Sequence, residues 1–149
     1  MLDNPAIQKI KIDNLVLLLE NILHEPATDY YSYVYKIYLQ DAYAQIGHIS
    51  YKPHLSPAYV DRGNIGYSIR KRHRRKGYAV TACRGLLNML KDNGVSSVTI
   101  TCDKDHYATP QVCAKLGGTF SHETKLKYHY LIPTDQTAGN ALLLKQNKL

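Results

Sequence analysis

The stretch GYSIRKRHRRKGYA, residues 66–79, decides how this chain is interpreted. Its first residues have the character of a β-strand, its middle is a basic turn that ends in Gly77, and its last residues begin an apolar helix. A turn of this kind directs several backbone N–H groups to one point, where the helix dipole adds partial positive charge. Arg and Lys occupy six of the seven positions 70–76. The stretch therefore predicts a pyrophosphate site.

The composition is that of one globular domain. The chain has 149 residues, of which 44% are hydrophobic and 21% charged, so it can bury a sizeable core and is too apolar for a disordered protein. Its longest aliphatic run, residues 15–19, is too short to span a bilayer, and residues 1–12 lack the layout of a secretory signal. We expect a single domain over residues 1–149 without a membrane partner, in which residues 133–149 form a loosely packed tail.

The cysteines indicate a reducing compartment. Cys83, Cys102 and Cys113 have no metal-type spacing, and an odd number argues against a disulfide framework. We therefore expect a cytoplasmic protein with no structural metal.

Hydrophobic periodicity gives the order of the secondary-structure elements. Residues 13–23 fit either an amphipathic helix or a buried strand. After them the pattern indicates three strands, a helix, a strand, a short helix and a closing strand pair, which together predict a mixed α+β domain. The expected strands are 31–40, 45–52, 64–70, 97–102, 119–122 and 126–132, and the expected helices are 79–90 and one that starts near Pro110 and ends near Gly117-Gly118.

Three stretches in this order match known family motifs. Residues 74–79, RRKGYA, fit Gln/Arg-x-x-Gly-x-Gly/Ala; residues 64–69, NIGYSI, look like the strand that leads into that motif. Residues 106–118 align with Asn-x-x-Ala-x-x-x-Tyr-x-Lys-x-Gly-Phe. Together the three stretches resemble the GNAT superfamily of acyl-CoA-dependent N-acetyltransferases, in particular the branch that acetylates protein N-termini and small amines.

The resemblance implies a fold and a co-substrate. The fold would be a mixed, mainly antiparallel central sheet with a splayed parallel strand pair and flanking helices. Acetyl-CoA would be the co-substrate, without a metal, and its pantetheine arm would pair with the strand that ends at Arg70. The residues expected to bind it are Ser68, Ile69, Arg70, Arg74, Arg75, Lys76, Gly77, Tyr78, Ala79, His106 and Thr109.

Two residues depart from the motif of the short helix. Cys113 stands where the family has a Tyr that is often proposed to protonate the departing CoA thiolate. A thiol could donate that proton, since its reference pKa of about 8.5 lies below that of Tyr, but a buried helix cysteine can equally be packing. His106 stands at the usual Asn position, where it could bond the pantetheine or be a loop residue without a role.

The expected reaction is direct attack of a neutral amine on the thioester, with the oxyanion held by a backbone N–H near Ile69. Deprotonating an alkylamine at neutral pH costs about 4 kcal/mol, so a base is needed. Related enzymes carry a Glu at the position of Asn64, but an asparagine cannot act as the base. The catalytic candidates are Cys113, His48 and Tyr67; His48 could instead be a sheet histidine and Tyr67 a core residue, while His54 and Asp61 are loop candidates.

The acceptor side also departs from the family. GNAT proteins have two helices between their first two strands, and if residues 14–20 form the first strand, only residues 24–30 remain for them here. The acceptor pocket would then be open, or walled by residues 52–62 and by the tyrosines Tyr30, Tyr31, Tyr33 and Tyr35.

We therefore expect an N-acetyltransferase that acts on a primary amine of a small molecule or peptide, without specifying which. One alternative is an inactive acyl-CoA-binding sensor or scaffold. A second is nucleic-acid binding by residues 70–76, although the chain has no other basic segment of similar density, so a nucleic-acid partner is not expected. Exposed strand edges and the Leu142–Leu144 segment leave a homodimer open.

Overall fold

A computed structural model describes residues 5–137. Within them lie three α-helices and eight β-strands, together with short 3-10 turns at Pro26–Thr28, Pro57–Arg62 and Lys71–His73. The elements in chain order are α1 (Pro5–Gln8), β1 (Lys9–Ile12), β2 (Leu15–Glu25), β3 (Tyr30–Leu39), β4 (Ala44–Tyr51), β5 (Ile65–Ile69), α2 (Tyr78–Asp92), β6 (Ser97–Asp103), α3 (Ala108–Lys115), β7 (Thr119–Glu123) and β8 (Lys127–Pro133).

The strands form two antiparallel sheets. The first has the order β1-β2-β3-β4-β5, and the second has the order β6-β8-β7. β5 is an edge strand of the first sheet, and β6 is an edge strand of the second. The two strands lie next to each other but are not paired, so the two sheets diverge between them. The expected mixed α+β fold with a splayed strand pair is therefore present.

The ambiguous residues 13–23 are strand. Leu15, Leu17 and Leu19 alternate toward the core, and β2 continues to Glu25 with a bulge between Leu19 and Asn21. Because Pro26–Thr28 then turns the chain directly into β3, no helix pair stands between these strands.

One face of the first sheet carries the core. On this face Ile37, Ile49 and Ile65 pack with the apolar side of α2, which includes Leu86 and Leu87. The other face holds the alternate residues of each strand, among them His48 and Ser68, whose side chains are exposed. We call this second side the open face.

The end of β8 is tied to the body of the protein. Thr134 Oγ1 donates to the Val95 carbonyl over 2.6 Å, and Gln136 Nε2 donates to the Leu116 carbonyl over 2.9 Å. Thr134 and Gln136 are thus buried, whereas residues 138–149 of the predicted tail, including Leu142–Leu144, lie outside the described residues. The homodimer and the single domain over the whole chain stay predictions. No helix within residues 5–137 is long and apolar enough to cross a membrane.

Candidate functional site

The basic turn ends in a helix N-terminus whose amide groups are free of helical partners. Gly77 has φ +80° and caps α2, and Arg75 also has positive φ, +63°. The N–H of Thr81 makes the first helical hydrogen bond, 3.1 Å to the Gly77 carbonyl. The N–H groups of residues 78–80 therefore lack intrahelical acceptors, as the start of a helix requires. This arrangement can hold an anion.

Space above the turn is open. A Cβ added at Gly77 would meet no protein atom within 4 Å, so the glycine is required by its backbone conformation and not by a crowded neighbour. Arg74 fixes the turn to the preceding strand, because its Nε donates to the Ile69 carbonyl over 2.8 Å. Arg70 continues the β4–β5 ladder through its N–H, which donates to the Ile46 carbonyl.

The charged side chains of the turn are at the surface. Arg72, Arg75 and Lys76 are exposed and available to phosphate oxygens. His73 lies among them, and partial burial followed by the positive charges of Arg72, Lys76 and Arg70 lowers its pKa. The turn is thus a local anion site, and its positive charge is concentrated at the start of α2.

The two sheets meet at Asn64, and from there β5 and β6 separate to form a wedge. The N–H of Asn64 donates to the Thr99 carbonyl, and Asn64 Oδ1 accepts from the N–H of Thr99, both over 2.8 Å. Asn64 Nδ2 also donates to the Lys52 carbonyl over 2.9 Å. Because its side chain is committed to backbone groups of β4 and β6, Asn64 has a structural role at the apex of the wedge.

The wedge exposes backbone N–H groups of β5. Hydrogen-bonded pairs alternate in an antiparallel ladder, and the bonds of Arg70 to Ile46 and of Lys52 to Asn64 fix which β5 residues face β4. The intervening residues, Tyr67 and Ile69 among them, therefore direct their N–H groups into the wedge. A thioester carbonyl placed there would find the donor that the sequence predicted near Ile69.

Tyr67 and α3 face each other across this wedge. The Tyr67 hydroxyl lies 3.2 Å from Thr109 Oγ1. Burial, opposed by the hydrogen bond to Thr109 and assisted by the neighbouring cysteines, raises the pKa of Tyr67 to about 12. Cys113 is fully buried on α3, and burial followed by Cys102 raises its pKa to about 12. Both groups are protonated at neutral pH, and Tyr67 is the more accessible of the two.

His106 caps α3. Its Nδ1 accepts a 3.2 Å hydrogen bond from the N–H of Thr109, and its ring is exposed. This contact occupies one ring nitrogen and sets the position of Thr109 opposite Tyr67. The predicted contact of His106 with pantetheine stays a prediction.

Two histidine–carboxylate pairs lie near the wedge, away from the core. His48 is exposed, and its Nε2 lies 3.5 Å from a Glu20 oxygen. His129, which the sequence did not single out, is 1% exposed and places Nε2 2.8 Å from Asp61 Oδ1. The only signal for His129 in the sequence was the alternation of KYHYLIP in β8. His54 is exposed in the loop.

Asp61 is held in place and is not merely solvated. Thr124 Oγ1 donates to Asp61 Oδ1 over 2.7 Å, and Thr101 Oγ1 donates to the Asp61 carbonyl over 2.8 Å. The hydrogen bonds from Thr124 and then His129 lower the pKa of Asp61. The pair thus fixes the loop of residues 52–62 onto β6 and β8, beside the apex of the wedge.

Lys52 is a further residue that the sequence did not identify. It is 7% exposed at the end of β4, and its Nζ donates to Ser50 Oγ over 3.1 Å. Burial, followed by the charge of Arg62, lowers the pKa of Lys52 to about 8. No pattern in a single sequence distinguishes this lysine from a surface lysine at a strand end.

The tyrosines expected around an acceptor divide between the two faces. Tyr30 lies beside Tyr59 and Arg62 of the 52–62 loop, on the open face. Tyr33 and Tyr35 are in the core, where the Tyr35 hydroxyl donates to the Ile7 carbonyl. Tyr31 stacks on Tyr33 on that same face. Only Tyr30 is therefore placed to wall an acceptor.

A separate cavity of about 410 Å³ lies between β1 and the C-terminal half of α2. It is lined by Ile10, Ile12, Gly85 and Met89 among others, and it contains none of the predicted site residues. The described residues bring together no group of three His, Cys, Asp or Glu side chains that could hold a metal ion. The wedge and the basic turn remain the candidate site.

Comparison with known proteins agrees with this geometry. The acetyltransferase (GNAT) domain family matches residues 8–119. The chain belongs to the GNAT acetyltransferase family. The membership and the fold predicted from the sequence are confirmed, and the class of acetyl-CoA-dependent acyltransferase is confirmed at the level of the family.

Individual relatives are distant. The uncharacterized N-acetyltransferase YjdG of Bacillus subtilis (strain 168) is 35% identical over 71 residues, which are 47% of this chain and 42% of YjdG, so the match spans less than half of that relative. A GNAT-family acetyltransferase of Bacillus anthracis has a TM-score of 0.67 at 15% identity over 85% of this chain and 99% of its own. The ribosomal L7/L12 alpha-N-protein acetyltransferase RimL in complex with coenzyme A has a TM-score of 0.61 at 14% identity over 84% and 96%.

Proposed function

We propose that the protein is an N-acetyltransferase that transfers the acetyl group of acetyl-CoA to a primary amine by direct attack in a ternary complex. The observation that carries this proposal is the junction of the basic turn with the wedge. Free amide groups at the start of α2 and the side chains of residues 74–76 would hold the pyrophosphate. The edge of β5 would pair with the pantetheine arm and bring the thioester to the N–H groups of Tyr67 and Ile69.

The leaving thiolate would receive its proton from the α3 side of the wedge. Tyr67 is the better placed donor, because its side chain is only partly buried and its hydroxyl is bonded to Thr109 of α3, whereas Cys113 is fully buried. The role of Cys113 as a proton donor stays a prediction that variants can test.

The amine would approach from the open face, since α2 and the core cover the other side. Of the two histidine–carboxylate pairs, we assign the base to His48 with Glu20, because His48 is exposed on the open face and pairs with Ser68 of β5. His129 with Asp61 is the alternative, but its ring is 1% exposed and its Nε2 is bonded to Asp61.

The acceptor that fits this site best is a protein or peptide α-amino group. Its reference pKa of about 7.7–8.0 means that deprotonation at pH 7 costs about 1 kcal/mol, against about 4 kcal/mol for the alkylamine of a lysine side chain. A site without a carboxylate at position 64 is better suited to the α-amino group, because that amine is the easier of the two to deprotonate. RimL, which is described as an alpha-N-protein acetyltransferase, supports the same class of acceptor. We propose a cytoplasmic location, which the free thiols of Cys83, Cys102 and Cys113 support.

The test measures binding and turnover separately. Acetyl-CoA should raise the melting temperature, because it binds the folded state. Release of CoA thiol should then be faster with a peptide that has a free α-amine and no lysine than with an N-terminally blocked peptide that has one lysine. Stabilisation without thiol release from any amine would instead support a sensor or scaffold, and the absence of stabilisation would remove both functions.

A further inference from the structure

Lys52 is a buried lysine without a carboxylate partner in the described part of the chain. Its Nζ has Ser50 Oγ as hydrogen-bond acceptor, and the charged neighbour that affects it is Arg62, of the same sign. A buried lysine is normally paired, because desolvation of an isolated ammonium is costly. Lys52 is therefore an exception that needs a functional reason.

The position of the amine is defined by a glycine of β5. A Cβ on Gly66 would lie 3.4 Å from Lys52 Nζ and 3.3 Å from Ser50 Oγ, so the amine lies directly over the strand on the open face. Gly66 is followed by Tyr67, whose N–H faces the wedge. The Lys52 amine is thus next to the proposed oxyanion site, on the side from which an acceptor amine would approach.

The amine is also unusually reactive at neutral pH. Burial and Arg62 lower its pKa to about 8. At pH 7 about a tenth of Lys52 is then neutral and nucleophilic, against less than about one in a thousand for a lysine of ordinary pKa.

We propose that Lys52 is a self-acetylation site, modified by the acetyl-CoA bound in the protein's own wedge. The neutral Nζ forms a bond to the thioester carbonyl carbon, the C–S bond breaks, CoA leaves as its thiol after protonation, and the amine proton passes to solvent. This inference rests on the proposed function, because it needs acetyl-CoA in the wedge. The product carries no charge, so it suits a buried position better than the ammonium does.

The experiment incubates the full chain with acetyl-CoA alone and maps acetylated lysines by peptide mass spectrometry. Lys36 is the internal control, since it lies on the same face, one strand away from β4, but is paired with Glu20 and about a third exposed. We expect Lys52 to be acetylated about tenfold faster than Lys36. The neutral fraction of Lys52 is larger by more than this factor, but an amine of lower pKa is a weaker nucleophile, which offsets part of the gain. The rate per molecule should not depend on protein concentration.

Two variants separate this reaction from chemical acetylation. Gly77→Val should abolish the preference for Lys52 because it removes the cofactor turn, and Lys52→Arg should remove the modified peptide while leaving stabilisation by acetyl-CoA intact. Acetic anhydride, a donor that needs no cofactor site, should label Lys52 and Lys36 in the same ratio in the wild type and in Gly77→Val.

Each outcome is decisive. If acetyl-CoA stabilises the protein but Lys52 is modified no faster than Lys36, self-acetylation is excluded and the proposed function stands. A rate that increases with protein concentration would show transfer between molecules and would also overturn it. If acetyl-CoA does not stabilise the wild-type chain, the proposed function itself fails.

Discussion

The two ends of the wedge are built in different ways. The proposed cofactor end, residues 66–79, is one continuous stretch with a defined backbone turn and clustered positive charge. The proposed acceptor end brings together Lys52, Asp61 and His129, which come from the 52–62 loop and from β8. A site made by consecutive residues can be recognised in a sequence, whereas a site made by residues that meet only after folding cannot. The predictions below test whether the two ends are as independent as this difference implies.

The largest effect should come from Lys52 at the acceptor end. Its pKa is about 8 in the folded protein and 10.5 in the unfolded chain, so below pH 8 the buried ammonium destabilises the fold by about 3 kcal/mol. Between these two pKa values the unfolded state holds a proton that the folded state has lost, so the free energy of unfolding rises with pH. Lys52→Met should raise stability at pH 7 and remove this rise, as measured by urea denaturation.

The control for this measurement is Lys36→Met, in which a partly exposed lysine is lost whose pKa is raised by its hydrogen bond to Glu20. Measurements should stay below pH 10, because burial raises the pKa of Tyr35 and Tyr67 to about 12 and their ionisation in the unfolded state lowers stability above that pH. Wild type and Lys52→Met curves that run parallel from pH 7 to 9.5 would mean that Lys52 is solvated.

At the cofactor end, Gly77→Val should abolish stabilisation by acetyl-CoA, a loss of about 2.7 kcal/mol at a ligand concentration about 100 times Kd. The matched control is Gly94→Val. Gly94 ends α2, has φ +86°, and also has no atom within 4 Å of an added Cβ. Both variants force a side chain into a left-handed conformation, at a cost of about 1–2 kcal/mol each.

Only the Gly77 variant should lose the thermal shift with acetyl-CoA. Retained binding in Gly77→Val would remove the turn as the cofactor site, and loss of binding in both variants would attribute the effect to general destabilisation.

Asn64 joins the two ends, so its removal should affect both. Asn64→Ala takes away the acceptor of the Thr99 N–H and a donor to the Lys52 carbonyl, and leaving these partly buried groups unsatisfied should cost about 2 kcal/mol. The free energy of unfolding measures this, with Asn88→Ala, exposed on α2, as the control. A cost no larger than that of the control would show that the backbone bond from Asn64 to Thr99 holds the apex by itself.

Much of the fold followed from local patterns. Alternation in β3, β4 and β5 and the helical period of α2 gave these elements directly, and the basic turn located the helix start at Gly77. Residues 13–23 could not be assigned, because LVLLL has no period and only pairing with β1 and β3 makes it a strand. The sequence placed Asp61 in a loop but could not identify its partners, Thr124 and His129, because they are more than 60 positions away.

Cys113 is the site residue for which sequence and structure point in different directions, and its removal should have the smallest effect. The family motif places a proton donor there, but the thiol is fully buried and burial raises its pKa to about 12. Cys113→Ala should therefore lower stability by about 1 kcal/mol through lost packing and leave turnover unchanged, whereas Tyr67→Phe, which keeps the ring, should slow thiol release. If Cys113→Ala slows turnover more than Tyr67→Phe does while acetyl-CoA binding is intact, the proton comes from the cysteine, and α3 must move to bring it into the wedge.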